Sequence, residues 1–261
     1  MIDFKGKKGV VLGVGNSRSI AWAITESLHQ CGAELALTFI EDPKGRYEKN
    51  VRSLGTQVEA SIIHPCDVQD EKAIDSLMEV ISQQWGKLDF LVHSLAFAKQ
   101  EDLGGSFSET SRDGFLKAQE ISAYSLLPLS AGAAPLMRKN GGGSIITMSY
   151  IGAMLAVPNY NAMGPAKAAL ESSVRYLARE LGTDNIRVNA ISAGPIRTLS
   201  ASGVKNFSTL IQGVAEQSAL KRNVTQAEVG ATAAFLCSDA ASAITGQTIY
   251  VDCGFNVMGG A

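Results

Sequence analysis

Short, almost unbroken apolar runs alternate with longer stretches whose apolar residues recur at helical spacing, along nearly the whole chain. The short β-branched runs predict strands near Lys8 to Leu12, Glu34 to Phe39, Val58 to His64, Leu88 to His93, Ser144 to Met148, Arg187 to Ile191 and Gln247 to Val251. Between them the 3.6-residue period predicts helices near Ser19 to Gln30, Arg46 to Leu54, Asp70 to Trp85, Ser111 to Met137, Asn161 to Leu181 and Gln226 to Leu236. Strands joined by helix-length crossovers belong to a parallel sheet. Val10-Val11-Leu12 has no polar face, so helices must cover both sides of that sheet. The expectation is an α/β, doubly wound (Rossmann) fold, a seven-stranded parallel sheet in a single domain over residues 1–261.

Residues 194–223 break the rhythm. They separate a strand from a helix by far more than the roughly 2 to 6 residues of an ordinary connection. The segment carries Ile196, Leu199, Val204, Phe207, Leu210 and Ile211, too apolar for a solvated linker. A helical substrate lid over a greasy pocket and a surface helical pair packed on the body both fit this pattern; the lid is the expectation carried forward.

Composition narrows the function. A chain of 261 residues, 46% hydrophobic and 18% charged, can bury a substantial core. A net charge of -2 supplies no general attraction for nucleic acid or an anionic membrane, which leaves small-molecule chemistry. Cys31, Cys66, Cys237 and Cys253 are widely spaced and form no CxxC pair, so they read as reduced core residues of a cytoplasmic protein. The amino end lacks the apolar stretch of a signal peptide, and no run of eighteen apolar residues follows. His64 and His93 lack metal-ligand spacing and read as structural, and no metal is expected.

Candidate chemistry collects at strand ends. After the first strand, Gly13-Val14-Gly15-Asn16-Ser17-Arg18-Ser19-Ile20-Ala21 leads into a helix. Glycine there admits a pyrophosphate to the backbone, and the helix amino end offers unpaired N–H groups. Arg18 stands where a third glycine would complete G-x-G-x-x-G, and a tight turn with Ser19 as N-cap fits equally well on its own. Two further strand ends favour the dinucleotide. Glu41 follows the second strand and can accept from an adenosine ribose while repelling a 2'-phosphate, which points to NADH over NADPH, although Lys44 and Arg46 lie nearby. Asp67 and Val68 follow the third and can meet an adenine, or Asp67 can simply start a helix.

The fifth strand ends in Ser149 and Tyr150, with Tyr160 and Lys167 close behind. On an ideal helix seven residues turn about 700°, which leaves Tyr160 and Lys167 about 20° apart and about 10.5 Å along the axis. Pro165 is tolerated only near a first turn, so regular hydrogen bonding should begin near Asn161 or later, with Tyr160 at the helix entrance. A lysine charge about 4 Å from a phenol is worth about 4 kcal/mol at an effective dielectric near 20, enough to draw the phenol towards neutrality. The bland reading is a packing tyrosine and a solvated lysine. Ser149 can orient a carbonyl or a nicotinamide, Tyr150 can touch substrate or merely pack, and Ile196-Arg197-Thr198-Leu199 can bind a carboxamide or begin the lid.

At these residues the chain resembles the short-chain dehydrogenase/reductase superfamily and, within it, the bacterial NADH-dependent enoyl-acyl-carrier-protein reductases. The superfamily commonly separates its tyrosine and lysine by three residues, the enoyl reductases by six, and six separate Tyr160 from Lys167 here. Arg18-Ser19-Ile20-Ala21, Cys66-Asp67-Val68, His93-Ser94-Leu95-Ala96-Phe97-Ala98, Ile191 to Thr198 and Ile249-Tyr250-Val251-Asp252 carry the same likeness. The resemblance implies cofactor contacts from Gly13, Ser19, Ile20, Asp67, Val68, Leu95, Lys167, Ile196, Arg197, Thr198, Leu199 and Ser200, a substrate border at Ala98, and catalytic Tyr150, Tyr160 and Lys167. It also implies a homotetramer that reduces enoyl thioesters on acyl carrier protein during fatty-acid elongation. Ile40, Gly15 and Pro165 depart from the family pattern.

Overall fold

The computed structural model describes residues 2–198 and 207–259. Its core is one parallel sheet of seven strands, β1 (Lys8–Leu12), β2 (Glu34–Phe39), β3 (Ile62–Pro65), β4 (Phe90–His93), β5 (Gly143–Ser149), β6 (Ile186–Ala193) and β7 (Thr248–Val251). Their order across the sheet is β3-β2-β1-β4-β5-β6-β7. β1 therefore pairs on one side with β2 and on the other with β4, Val11 standing opposite Leu37 and Val92. The connections diverge at β1, and in an open α/β sheet ligands enter the crevice beyond the strand ends at such a point.

Helices α1 (Ile20–Gln30), α2 (Arg46–Gln57), α3 (Glu71–Trp85), α4 (Arg112–Gln119), α5 (Leu126–Arg138), α6 (Met163–Leu181), α7 (Phe207–Gln217) and α8 (Gln226–Cys237) follow in chain order. Alternation along β1 explains the two layers. Val11 joins Ile24, Leu28, Val51 and Val229 in a core beneath α1, α2 and α8, whereas Val10 and Leu12 join Leu77, Leu126 and Leu170 beneath α3, α5 and α6. The helix starts carry their own signals. Asp70 caps α3 by accepting from the Lys72 amide, and Thr225 and Glu228 form a capping box on α8. Arg222 beside Glu228 holds that carboxyl down to about 2. At the rim away from the crevice, buried Asp89 accepts from the Lys8 amide at 2.8 Å and from Asn140, and pairs with Lys87 at 3.2 Å.

Three expected boundaries are corrected. Residues 58–60 do not open β3: Val58 closes α2 and Glu59 turns back with a φ of +50°, so the strand starts at Ile62. β4 begins at Phe90 rather than Leu88. The single helix expected over Ser111 to Met137 is two helices, divided at residues 120–124 by a wider π turn in which the Ser125 amide donates to the Glu120 carbonyl. Pro128, in the first turn of α5, is the physical signal for that restart, since its missing N–H has no partner to lose there.

Candidate active site

The crevice at β1 is floored by Gly13, whose φ is +99°. A Cβ there would run into the Ser94 carbonyl at the end of β4, so only glycine keeps the space open. What stays open is the approach a phosphate-bearing ligand needs to reach the backbone, and the residues around it suit a dinucleotide. Ser19 caps α1 beside it: its hydroxyl accepts from the Trp22 amide at 3.1 Å and donates to the Asn16 carbonyl at 2.8 Å. The capping reading of Ser19 is thus realised, with the helix start opening on the crevice.

The other candidates divide between chemistry and packing. Asp67 does not start α3, which Asp70 caps; its carboxylate accepts from the Gln69 amide at 3.0 Å and stays half-buried at the end of β3. Ile20, Val68, Leu95 and Ile196 rest their side chains on or in the two cores, which leaves their backbones and rims to face a ligand. Arg197 is exposed, with its guanidinium 3.5 Å from the Ser208 hydroxyl on α7. The Thr198 amide donates back to the Ile196 carbonyl at 2.9 Å. Leu199 and Ser200, and residues 201–206 of the expected lid, lie outside the described residues. Of that segment, α7 is described, and Val214 is its one buried residue. Glu41 is exposed beyond the end of β2, and Asp42 accepts the amides of Lys44 and Tyr47 at 2.9 Å.

Beyond β5 the tyrosines meet. Tyr150 and Tyr160 pack edge to face with ring centroids 4.9 Å apart. Tyr160 lies before α6 rather than on it: its carbonyl accepts the Gly164 amide at 2.8 Å, α6 begins at Met163, and Pro165 falls harmlessly in the first turn. Asn161 secures this entrance by donating to the carbonyls of Gly104 and Gly105. Ala98 packs with Tyr160 against Leu103, Ala118, Ala162, Met163 and Ala166, so the expected substrate border and the phenol share one wall.

Lys167 is 4% exposed and its ammonium donates to the Met148 carbonyl at 2.8 Å. Burial pulls it down to about 8, an effect that the Glu171 carboxylate partly opposes. Neither phenol is lowered by the protein's own groups. Burial pushes Tyr150 up to about 12 and raises Tyr160 as well, with the neighbouring Tyr150 phenol adding to the latter, and the Lys167 ammonium is tethered to the strand end. Both phenols therefore remain protonated donors. The Ser149 hydroxyl donates to Glu171 on α6 at 2.6 Å.

Residue-level sequence reading missed several members of this site. Glu171 is buried four residues after Lys167, and the signal was a charge on an otherwise inward, apolar helical stripe. Ser122, on the π turn, accepts from the Phe97 amide at 3.0 Å and donates to its carbonyl at 3.2 Å, pinning the segment that carries Ala98. His93 is fully buried between two hydroxyls, Thr147 at 2.7 Å and Ser125 at 2.8 Å. Because Ser125 gives its one hydrogen to the Ile121 carbonyl, it accepts from Nε2 of His93, and Nδ1 accepts from Thr147. Burial, helped by the Lys167 charge, holds this imidazole neutral down to about 3. Among the described residues no cluster of metal-binding side chains occurs, and no helix is long and apolar enough to cross a membrane.

Comparison with known proteins agrees with this geometry. The profile of the Enoyl-(Acyl carrier protein) reductase family matches residues 13–256. The enoyl-acyl-carrier-protein reductase (NADH) FabI of a Nostoc species is 54% identical over 99% of this chain and 100% of its own. The crystal structure of the Anaplasma phagocytophilum reductase in complex with NAD superimposes with a TM-score of 0.93 at 44% identity, covering 98% of this chain and 96% of that one. The Bacillus cereus reductase with NADP+ and indole naphthyridinone gives 0.94 at 48% identity over 99% and 100% of the two chains. With the profile and the relatives spanning nearly every residue, the chain belongs to the enoyl-acyl-carrier-protein reductase family.

Proposed function

We propose that this chain is an NADH-dependent enoyl-acyl-carrier-protein reductase, which saturates the trans-2 double bond of enoyl thioesters in fatty-acid elongation. The observation that carries the reading is the geometry beyond β5: Tyr150 and Tyr160 pack edge to face 4.9 Å apart, and the buried Lys167 is tethered to the Met148 carbonyl at the end of that strand. Bound NADH supplies the hydride for the β-carbon. Gly13, Ser19, Ile20, Asp67, Val68, Leu95, Lys167 and residues 196–200 would hold it, and exposed Glu41 favours a free ribose hydroxyl over a 2'-phosphate.

The protein's task is then to stabilise the negative charge that collects on the thioester oxygen. Tyr160 does so as a hydrogen-bond donor from a partly buried position, where such a donor is worth more than in open water. Tyr150, edge-on to it, keeps the ring aimed. Tyr160 stays hydrogen-bonded to the enolate oxygen while a proton from solvent adds to the α-carbon, which completes the saturation with the hydride at the β-carbon. Lys167 holds the nicotinamide ribose, and Ala98 borders the acyl chain. Residues 194–223 form the substrate lid of a single domain. The chain works in the cytoplasm as a homotetramer, and exposed Tyr124, Leu127 and Tyr176 offer apolar surface for contacts between copies.

The test is NADH oxidation with crotonyl and acetoacetyl thioesters, run beside NADPH because a relative is known with NADP+. Tyr160→Phe should lower kcat about 100-fold or more while leaving the Kd for NADH within about threefold, the signature of a lost transition-state contact. Full turnover in that variant, or oxidation of NADH with the keto thioester alone, would remove the proposal.

A further inference from the structure

The inward stripe of α6 is apolar except for two charges, Lys167 and Glu171. A carboxylate that is 8% exposed must be desolvated at a cost, so its place beside a buried lysine calls for a reason. Helix support is not that reason: lysine four residues before glutamate is the weaker order for such a pair, and both lie out of solvent. Nor do the two charges simply pair with each other. The Lys167 ammonium donates to the Met148 carbonyl at 2.8 Å, and Glu171 accepts the hydroxyl of the next residue, Ser149, at 2.6 Å. One turn of helix thus grips two consecutive residues at the end of β5.

We infer that Glu171 is a positioning residue for Lys167: its buried carboxylate keeps the lysine charged and, through Ser149, fixes the strand end to which the ammonium is tethered. This rests on the reading that Lys167 holds the nicotinamide ribose, and it says how a buried lysine stays competent to do so. The surroundings offer little alternative. His93, on β4, is neutral, and Tyr150 and Tyr160 are protonated. The π turn and α5 contribute the uncharged hydroxyls of Ser122 and Ser125. From β7, the Tyr250 phenol donates to the Met154 sulfur at 2.8 Å and is pushed up by burial and by the carboxylates of Glu171 and Asp252. Asp252 itself is spent on the amides of Gly254, Phe255 and Asn256. Among the described residues, Glu171 is the one carboxylate whose charge registers on Lys167.

The experiment follows the Lys167 side chain directly, by 13C NMR titration of lysine-labelled, cofactor-free protein, with Lys167→Met to identify its signal. In Glu171→Gln, which keeps an acceptor for Ser149 but loses the charge, the midpoint should fall by about one pH unit or more. In Ser149→Ala, which keeps the charge but loses the tether, it should stay within about 0.3 units. NADH affinity followed by fluorescence should lose its alkaline limb at a correspondingly lower pH in Glu171→Gln. An unmoved midpoint in Glu171→Gln overturns the inference, and so does an equal fall in Ser149→Ala. Should Glu171→Gln fold poorly, Glu171→Asp replaces it: the retained charge should hold the midpoint, and a fall of about one unit overturns the claim. The titration needs no turnover, so failure of the reductase assay with the shift intact would strike the proposed activity and leave the role of Glu171 standing.

Discussion

Gly152 carries no chemistry, yet a methyl group on it would come within 2.6 Å of the Tyr160 ring and 3.3 Å of the Tyr150 ring. Neither ring can yield without unseating the other. Gly152→Ala should therefore lower kcat roughly 10- to 100-fold through misplacement of the Tyr160 hydroxyl, with the Kd for NADH little changed, as steady-state kinetics and fluorescence titration would reveal. An unchanged kcat would mean that the phenol pair tolerates displacement. The contrast with Tyr150, Tyr160 and Lys167 shows what could be read in advance. Those three announce themselves by type and spacing, because few side chains combine a phenol and an ammonium beyond a strand. Gly152 and Ser122 gain their meaning only from what they face, which linear order does not contain, whereas Glu171 left a trace as a charge on the apolar stripe of α6.

Among the elements, β1 and β2 were legible to the residue because each is an apolar run ended by a turn-forming stretch. β3 was not, since Val58 extends the apolar pattern of α2 through a chain reversal at Glu59. The break between α4 and α5 was hidden for another reason: a π turn changes the hydrogen-bond ladder without needing glycine, and Pro128 marks only its far side. That turn is functional as well as structural, because it presents Ser122 to both backbone groups of Phe97. Ser122→Ala should cost about 1 to 2 kcal/mol of stability in urea unfolding by leaving those groups without a protein partner. Its larger effect should be a raised KM for the enoyl thioester at unchanged NADH affinity, since Ala98 lies on the freed segment. Equal KM values would detach this turn from the substrate wall.

At the scale of the molecule, function is bought with buried polar groups, and the cost depends on pH. Lys167 is lowered to about 8 in the folded chain, so between about pH 8 and 10 the unfolded chain binds this proton more tightly and the lysine's contribution to stability rises with pH. Cys66 and Cys237, raised to about 12, act in the opposite sense from about pH 9, as do the raised tyrosines from about pH 10. The lysine's share is therefore seen as a difference. Denaturation of cofactor-free wild type and Lys167→Met should show the wild type gaining about 2 kcal/mol relative to the variant from pH 8 to pH 10. Parallel profiles would mean that the lysine titrates as it does in water. The strand order carries a consequence for biosynthesis. β1 must wait for β4, emerging some eighty residues later, before Gly13 meets Ser94, and Lys167 arrives later still. A chain synthesised only through β3 can pair β1 with β2 and β2 with β3 but owns neither crevice nor ribose anchor, so competence to capture nucleotide waits for the later strands.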